Sequence, residues 1–221
     1  MLVRIIIVYI DRKYMKTLKE YITEGLLDRV KNKEVNHEVI VRDFLEANYK
    51  FDGPYTIKTT NKGFVVDVKG NVVVMNKSIT SLTNGLFRFG EVSGCFYCTE
   101  CKSLKTLEGA PKKCYTFNCT DCDSLTSLEG SPKNCSIFDC GNCENLTSLK
   151  GAPNIVNSFS VSNTGIKDFK DAPKKINSNV FCTRCKNLES LKGLKSVRGI
   201  IFAGLCSNLK DYAGFEDQCN H

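Results

Sequence analysis

FYCTECKSLKTLEGAPKKC, residues 96–114, returns as FNCTDCDSLTSLEGSPKNC at 117–135 and as FDCGNCENLTSLKGAPNIV at 138–156. Three weaker copies follow: FSVSNTGIKDFKDAPKKI at 159–176, VFCTRCKNLESLKGLKSV at 180–197 and FAGLCSNLKDYAGF at 202–215. The shared pattern is F-x-C-x-x-C-x-x-L-x-x-L-x-G-A-P-x-x-V. Leu104, Leu125 and Leu146 lie 21 residues apart, and Ile166, Leu188 and Leu209 continue the column at steps of 20, 22 and 21. A fixed period of this length marks a stacked architecture, in which each unit exposes an apolar face that only the next unit covers.

The letters of one unit dictate its path. In F-x-C alternate residues point the same way, so Phe96 and Cys98 face the core and Tyr97 faces solvent. Leu104 and Leu107 turn inward along a second wall. Gly109-Ala110-Pro111 then closes the coil, because Gly permits positive φ and Pro extends neither helix nor ladder.

Cys98-x2-Cys101-x17-Cys119-x2-Cys122 has the spacing of a zinc site. The repeat argues for another reading. In the fourth unit the two cysteine positions hold Val161 and Thr164, which a tetrahedral thiolate site does not tolerate but a small buried slot does. Cys114 and Cys135 likewise share a column with Val156, Ile176 and Val197. Structural core is therefore the leading reading of the cysteines, ahead of metal binding across stacked thiols and of redox chemistry. The second cysteine column sits at the strand end, where an inward side chain can satisfy buried backbone groups.

With a period near 21 and a strand core matching L-x-L-x-x-N/C, residues 95 to about 215 resemble the short, cysteine-containing leucine-rich repeats. The resemblance implies an α/β solenoid with a short-stranded parallel sheet and few helices in the repeats. It also implies a curved solenoid that recognises its partner through exposed strand residues.

The expected organisation has four parts: residues 1–14 as a non-native extension, 15–50 as N-terminal helices, 51–90 as a β-hairpin cap and first coil, and 91–221 as a solenoid of about six units. Residues 15–30 read as an amphipathic helix with Leu18, Tyr21, Ile22 and Leu26 on one stripe. A second helix is expected in NHEVIVRDFLEANY, capped by Asn36, with Val39, Phe44 and Leu45 inward. YTIKTT, GFVVDVK and NVVVMN read as strands separated by Asn-Lys-Gly and Gly-Asn turns. Met15 reads as a translation start, and MKTLKEYITEG resembles the capsid-targeting segments of internal head proteins of T-even-like tailed phages. That resemblance implies cleavage between Glu24 and Gly25. The entry SLTNGLFRFGEVSGCF into the repeats also looks like leucine-rich repeat proteins of large tailed phages.

Composition narrows the functions. The apolar run LVRIIIVYI at 2–10 is about half of what a membrane span requires, and no export signal follows it, so free thiols in a reducing cytosol are expected. His37 and His221 are the only histidines, which leaves no Ser/His or Cys/His nucleophile pair, and no phosphate-loop, dinucleotide or zincin motif occurs. The expectation is a protein that is not an enzyme, with no catalytic residue, metal, cofactor, membrane or small-molecule substrate. Its partner would be a host or virion protein, met in the host bacterial cytoplasm or in the virion interior. The surface expected to bind comprises Tyr97, Asn118, Asp139, Ser160, Phe181 and Ala203, flanked by Thr99, Thr120, Gly141, Ser162 and Thr183, with Tyr97 and Phe181 as anchors. Two further readings are a structural internal head protein cleaved after Glu24, and nucleic-acid binding through the basic 167–198 segment, which includes Lys174 and Arg184.

Overall fold

A computed structural model describes residues 36–220. The expected helix at 15–30, the start at Met15 and the Glu24–Gly25 junction lie outside the described residues. Helix α1 (His37–Asn48) comes first. The Asn36 side chain accepts a hydrogen bond from the Glu38 amide at 3.0 Å, which satisfies one of the amides left without an intrahelical partner in the first turn. The buried stripe is Val41, Leu45 and Asn48, spaced i, i+4, i+7, and Phe44 packs half-buried beside it. Val39, expected inward, sits off this stripe and is only half-buried.

Strands β1 (Tyr49–Asp52), β2 (Tyr55–Thr60), β3 (Gly63–Val68), β4 (Asn71–Val74) and β5 (Phe87–Val92) follow. β2 and β3 form the expected antiparallel hairpin, with Thr60 opposite Gly63. The Gly70-Asn71 turn, by contrast, closes no hairpin. β3 pairs in parallel with β5, while β4 crosses to another sheet and pairs antiparallel with β1.

The remaining strands are β6 (Phe96–Tyr97), β7 (Thr116–Asn118), β8 (Ile137–Asp139), β9 (Ile155–Val156), β10 (Ser158–Ser160), β11 (Lys175–Ile176), β12 (Val180–Phe181), β13 (Ile201–Phe202) and β14 (Cys219–Asn220). The main sheet has nine strands in the order β1-β4-β6-β7-β8-β10-β12-β13-β14, and every pairing from β4 onward is parallel. β9 and β11 make a small parallel pair on another side of the coil.

The chain is thus a β-solenoid of about seven turns with a single helix among the described residues, where an α/β solenoid was expected. The leucine wall explains the absent helices. Lys105 donates to Thr80 in the preceding turn at 3.0 Å, and Leu107 donates to Glu129 in the following turn at 3.2 Å. Amides committed to neighbouring turns are unavailable for i to i−4 bonds. The first coil begins at β4, where Val72 pairs with Phe96 and Ile79 and Leu82 are as fully buried as Leu104 and Leu107.

Inside, one residue type stacks on its own kind. Phe96, Phe117, Phe138 and Phe159 are fully buried, with successive ring centroids 5.5, 5.5 and 5.9 Å apart. From the second turn onward, two left-handed corners bend each turn. One is a glycine in most turns. The other is Glu100, Asp121, Asn142, Asn163, Arg184 and Leu205, 21 residues apart with φ between 53° and 62°. The amides of the first five of these residues still donate to the next turn at 2.8 to 3.0 Å, so the ladder continues round the bend.

The corner glycines differ in what surrounds them. Gly151 has φ +97°, and a Cβ there would lie 2.3 Å from the Leu128 carbonyl oxygen, whereas Gly85 has φ +85° with nothing within 4 Å. Gly151→Ala is expected to lower stability by about 3 kcal/mol or more, because backbone of the adjoining turn cannot yield, and Gly85→Ala by only about 1 kcal/mol from the strained φ. Urea denaturation of both variants checks this.

Candidate functional site

In-register pairing brings Tyr97, Asn118, Asp139, Ser160 and Phe181 into one outward row, with rungs about 4.8 Å apart. All five are half-buried. The row continues with Phe202, which pairs with Phe181, and not with Ala203, which is only 2% exposed. The sixth repeat begins one residue earlier than its phenylalanine suggests. Ile201 takes the core slot, and a slip of one residue exchanges the faces of a strand. Counting 21 from Val180 would have found it.

The row changes character along its length. Phe181 and Phe202 stack with centroids 4.9 Å apart and planes within 3°. Close by in sequence, Ile200 on the same strand face is 46% exposed, and Leu205 at the corner is 74% exposed. In the middle, the Asn118 and Asp139 side-chain oxygens accept from the Thr120 and Gly141 amides, each at 3.0 Å, so both carboxamide and carboxylate help close the strand end. At the first rung the neighbouring Cys95 thiol and partial burial raise the Tyr97 pKa, keeping its hydroxyl a neutral donor. In the flanking row the Ser162 and Thr183 hydroxyls lie 3.1 Å apart, and Gly141 is buried.

The two basic candidates are not brought together. Arg184 stands at the left-handed corner after β12. Lys174 lines a groove at another corner with Lys150, Lys170, Lys192 and Lys195. Glu24 and Gly25 lie outside the described residues.

The cysteines form columns. Cys122, Cys143, Cys185 and Cys206 donate S–H to the carbonyls of Cys98, Cys119, Val161 and Cys182 in the preceding turn at 3.2, 3.2, 3.1 and 2.9 Å. Thr164, the odd member, gives its hydroxyl to Val161 at 2.7 Å. What this column needs is a small inward donor, which Cys and Thr both supply. In the other columns burial raises the pKa of Cys98, Cys114 and Cys140 and pushes Cys135 up to about 12, so these groups stay thiols at neutral pH. All thirteen cysteines are free. Among the described residues no three His, Cys, Asp or Glu side chains converge as a metal site. Nor is any described helix long and apolar enough to cross a membrane.

Comparison with protein-family models, with curated proteins and with solved structures gave no match. The class rests on the geometry alone: a cysteine-rich β-solenoid with a period of about 21 residues.

The two cysteine columns should respond differently to substitution. Cys98→Val should cost within roughly 1–1.5 kcal/mol as a near-isosteric swap, because the Asn118 carbonyl to which Cys98 Sγ donates keeps the Cys98 amide at 2.8 Å. Cys122→Val removes the S–H donor to the Cys98 carbonyl and should cost about 1–3 kcal/mol. Thermal denaturation of the pair distinguishes a packed core slot from a donor slot.

Proposed function

We propose that this chain is a non-enzymatic recognition module of the leucine-rich repeat kind that binds a protein through its outward strand row. The observation that carries the reading is the stacked pair Phe181–Phe202, left half-buried beside exposed Ile200 and Leu205. Aromatic side chains with much of their entropy already surrendered to a stack make effective anchors. Tyr97, with its hydroxyl, supplies a second anchor at the far end of the row, and Asn118, Asp139 and Ser160 provide polar contacts between them. The N-terminal elements serve as the cap that a stacked repeat requires, a role supported by Val41 and Leu45 joining the common core and by Tyr49 donating its hydroxyl to the Leu82 carbonyl at 2.9 Å.

A tailed-phage origin, with the protein acting in the host bacterial cytoplasm, follows from the resemblance of MKTLKEYITEG and of the repeats. The structural alternative places the protein inside the virion. The nucleic-acid alternative would draw on the groove lysines without Arg184, which weakens it relative to the strand row.

Two experiments test these readings. A protein captured from bacterial lysate on the immobilised chain is expected to bind the double variant Phe181→Ala/Phe202→Ala at least tenfold more weakly, while exposed Lys133→Ala binds unchanged. Equal binding by all three chains sinks the strand-row reading. Mass spectrometry of purified particles decides the structural alternative, which expects a peptide beginning at Gly25.

A further inference from the structure

The left-handed corners Gly151, Asp171 and Gly193 of three successive turns line an open groove of about 590 Å³ on a side of the coil distinct from the strand row. Lys150, Lys170, Lys174, Lys192 and Lys195 line it together with the small residues Gly151, Ala172 and Gly193. Two carboxylates, Asp168 and Asp171, share the lining. Five cations against two anions leave the groove positive by three.

The local geometry concentrates that charge. Lys150, Lys170 and Lys192 each precede the left-handed residue of their turn, Gly151, Asp171 and Gly193, so they occupy one column with a rise of about 4.8 Å per turn. Lys150 is held by Glu129 at 2.7 Å. Lys170, Lys174, Lys192 and Lys195 make no ion pair among the described residues. Asp168 is partly committed, since its Oδ1 accepts from the Lys170 amide at 2.8 Å. Like charges stacked in register repel, and a bound anion converts the repulsion into attraction.

The groove also lies where the repeat is irregular. From Glu100 to Gly193 the two left-handed corners of a turn are nine residues apart except in the turn of the fourth repeat, where Asn163 and Asp171 are eight apart. The shortened turn lies between two full ones. Its Asp168, Lys170, Asp171, Ala172 and Lys174 form the middle of the groove, and Gly151 and Gly193 mark its two flanks.

We infer that this groove binds a short oligophosphate chain through the Lys170, Lys174, Lys192 and Lys195 ammonium groups. Lysine binds phosphate as a point charge on a flexible stem, and the volume suits a small ligand. Lys170 with Lys192, and Lys174 with Lys195, each step one turn along the stack, which suits an anion carrying more than one charge in a line. No aromatic side chain lines the groove, so it offers no platform on which a base could stack, and an inorganic chain is favoured over a nucleotide or a single-stranded nucleic acid. This site is independent of the protein-binding row.

Titration calorimetry of the full chain tests the inference, with sodium tripolyphosphate as the probe and orthophosphate, ATP and a short single-stranded oligonucleotide as the other arms. Tripolyphosphate is expected to bind at low salt, more tightly than orthophosphate and at least as tightly as ATP, and to weaken as salt rises. Lys170→Gln/Lys192→Gln should weaken it roughly tenfold, while Lys186→Gln/Arg198→Gln, which removes the same charge outside the groove, should change it by no more than about twofold. Circular dichroism of both double variants verifies the fold. Absence of binding at low salt, equal weakening by both double variants, or tighter binding of ATP or the oligonucleotide each overturns the inference. Loss of the protein partner in Phe181→Ala/Phe202→Ala, with tripolyphosphate binding retained, keeps the two sites separate.

Discussion

Each turn of the solenoid is tied to both neighbours by backbone hydrogen bonds, the Cys98 amide donating forward to the Asn118 carbonyl and the Tyr115 amide back to the Gly94 carbonyl. This bonding imposes one pitch on everything attached to the backbone. A side chain therefore meets, about 4.8 Å away, whatever occupies the same column in the next turn. Phenylalanine and leucine pack well against copies of themselves, and a thiol is small enough to do so. Charges are different. Where outward columns hold ions, opposite signs often adjoin, as in Lys102 with Asp123 at 3.0 Å and Lys150 with Glu129 at 2.7 Å. The run Lys150, Lys170, Lys192 breaks that habit.

The same constraint explains why the turn of the fourth repeat can depart so far from its neighbours. Val161 and Thr164 replace both cysteines because the first column asks only for volume and the second only for a donor near a carbonyl. The residue lost between Asn163 and Asp171 is absorbed at Gly165, where a Cβ would lie 2.7 Å from the Glu144 carbonyl oxygen. It is restored before Arg184, thirteen residues beyond Asp171 where the other turns take twelve. Register returns because the ladder beyond it, Val180 on Ile201 and Phe181 on Phe202, stabilises only the aligned arrangement.

Stacking also sorts side chains by their freedom to serve function. Inward residues answer to the pitch and the core. Asn118 and Asp139 face outward but also hold the strand end closed, so their identity reflects local structure as well as recognition. Phe181 and Phe202 have no such local duty. Their half-buried stack, and the lysines of the groove, are the features that the architecture leaves unexplained, and they lie on different sides of the coil.

Much of this was legible in the residues. The 21-residue period, the inward Phe, Cys and Leu columns, the Asn36 cap and the β2–β3 hairpin follow from alternation, spacing and turn chemistry, which act over a few residues. The row from Tyr97 to Phe181 followed from strand parity. Four features depended on contacts between turns. No composition marks Glu100, Asp121, Asn142, Asn163, Arg184 and Leu205 as a column of left-handed corners, because the ladder imposes that conformation on whichever residue is there. The crossing of β4 from hairpin to solenoid depends on pairing with β6. Phe202 in place of Ala203 depends on which strand aligns with Val180. The assembly of Lys170, Lys174, Lys192 and Lys195, with Arg184 excluded, depends on which corner each residue reaches once the coil has closed. Local chemistry sets the path of one turn; only the stacking of one turn on another decides which distant residues become neighbours.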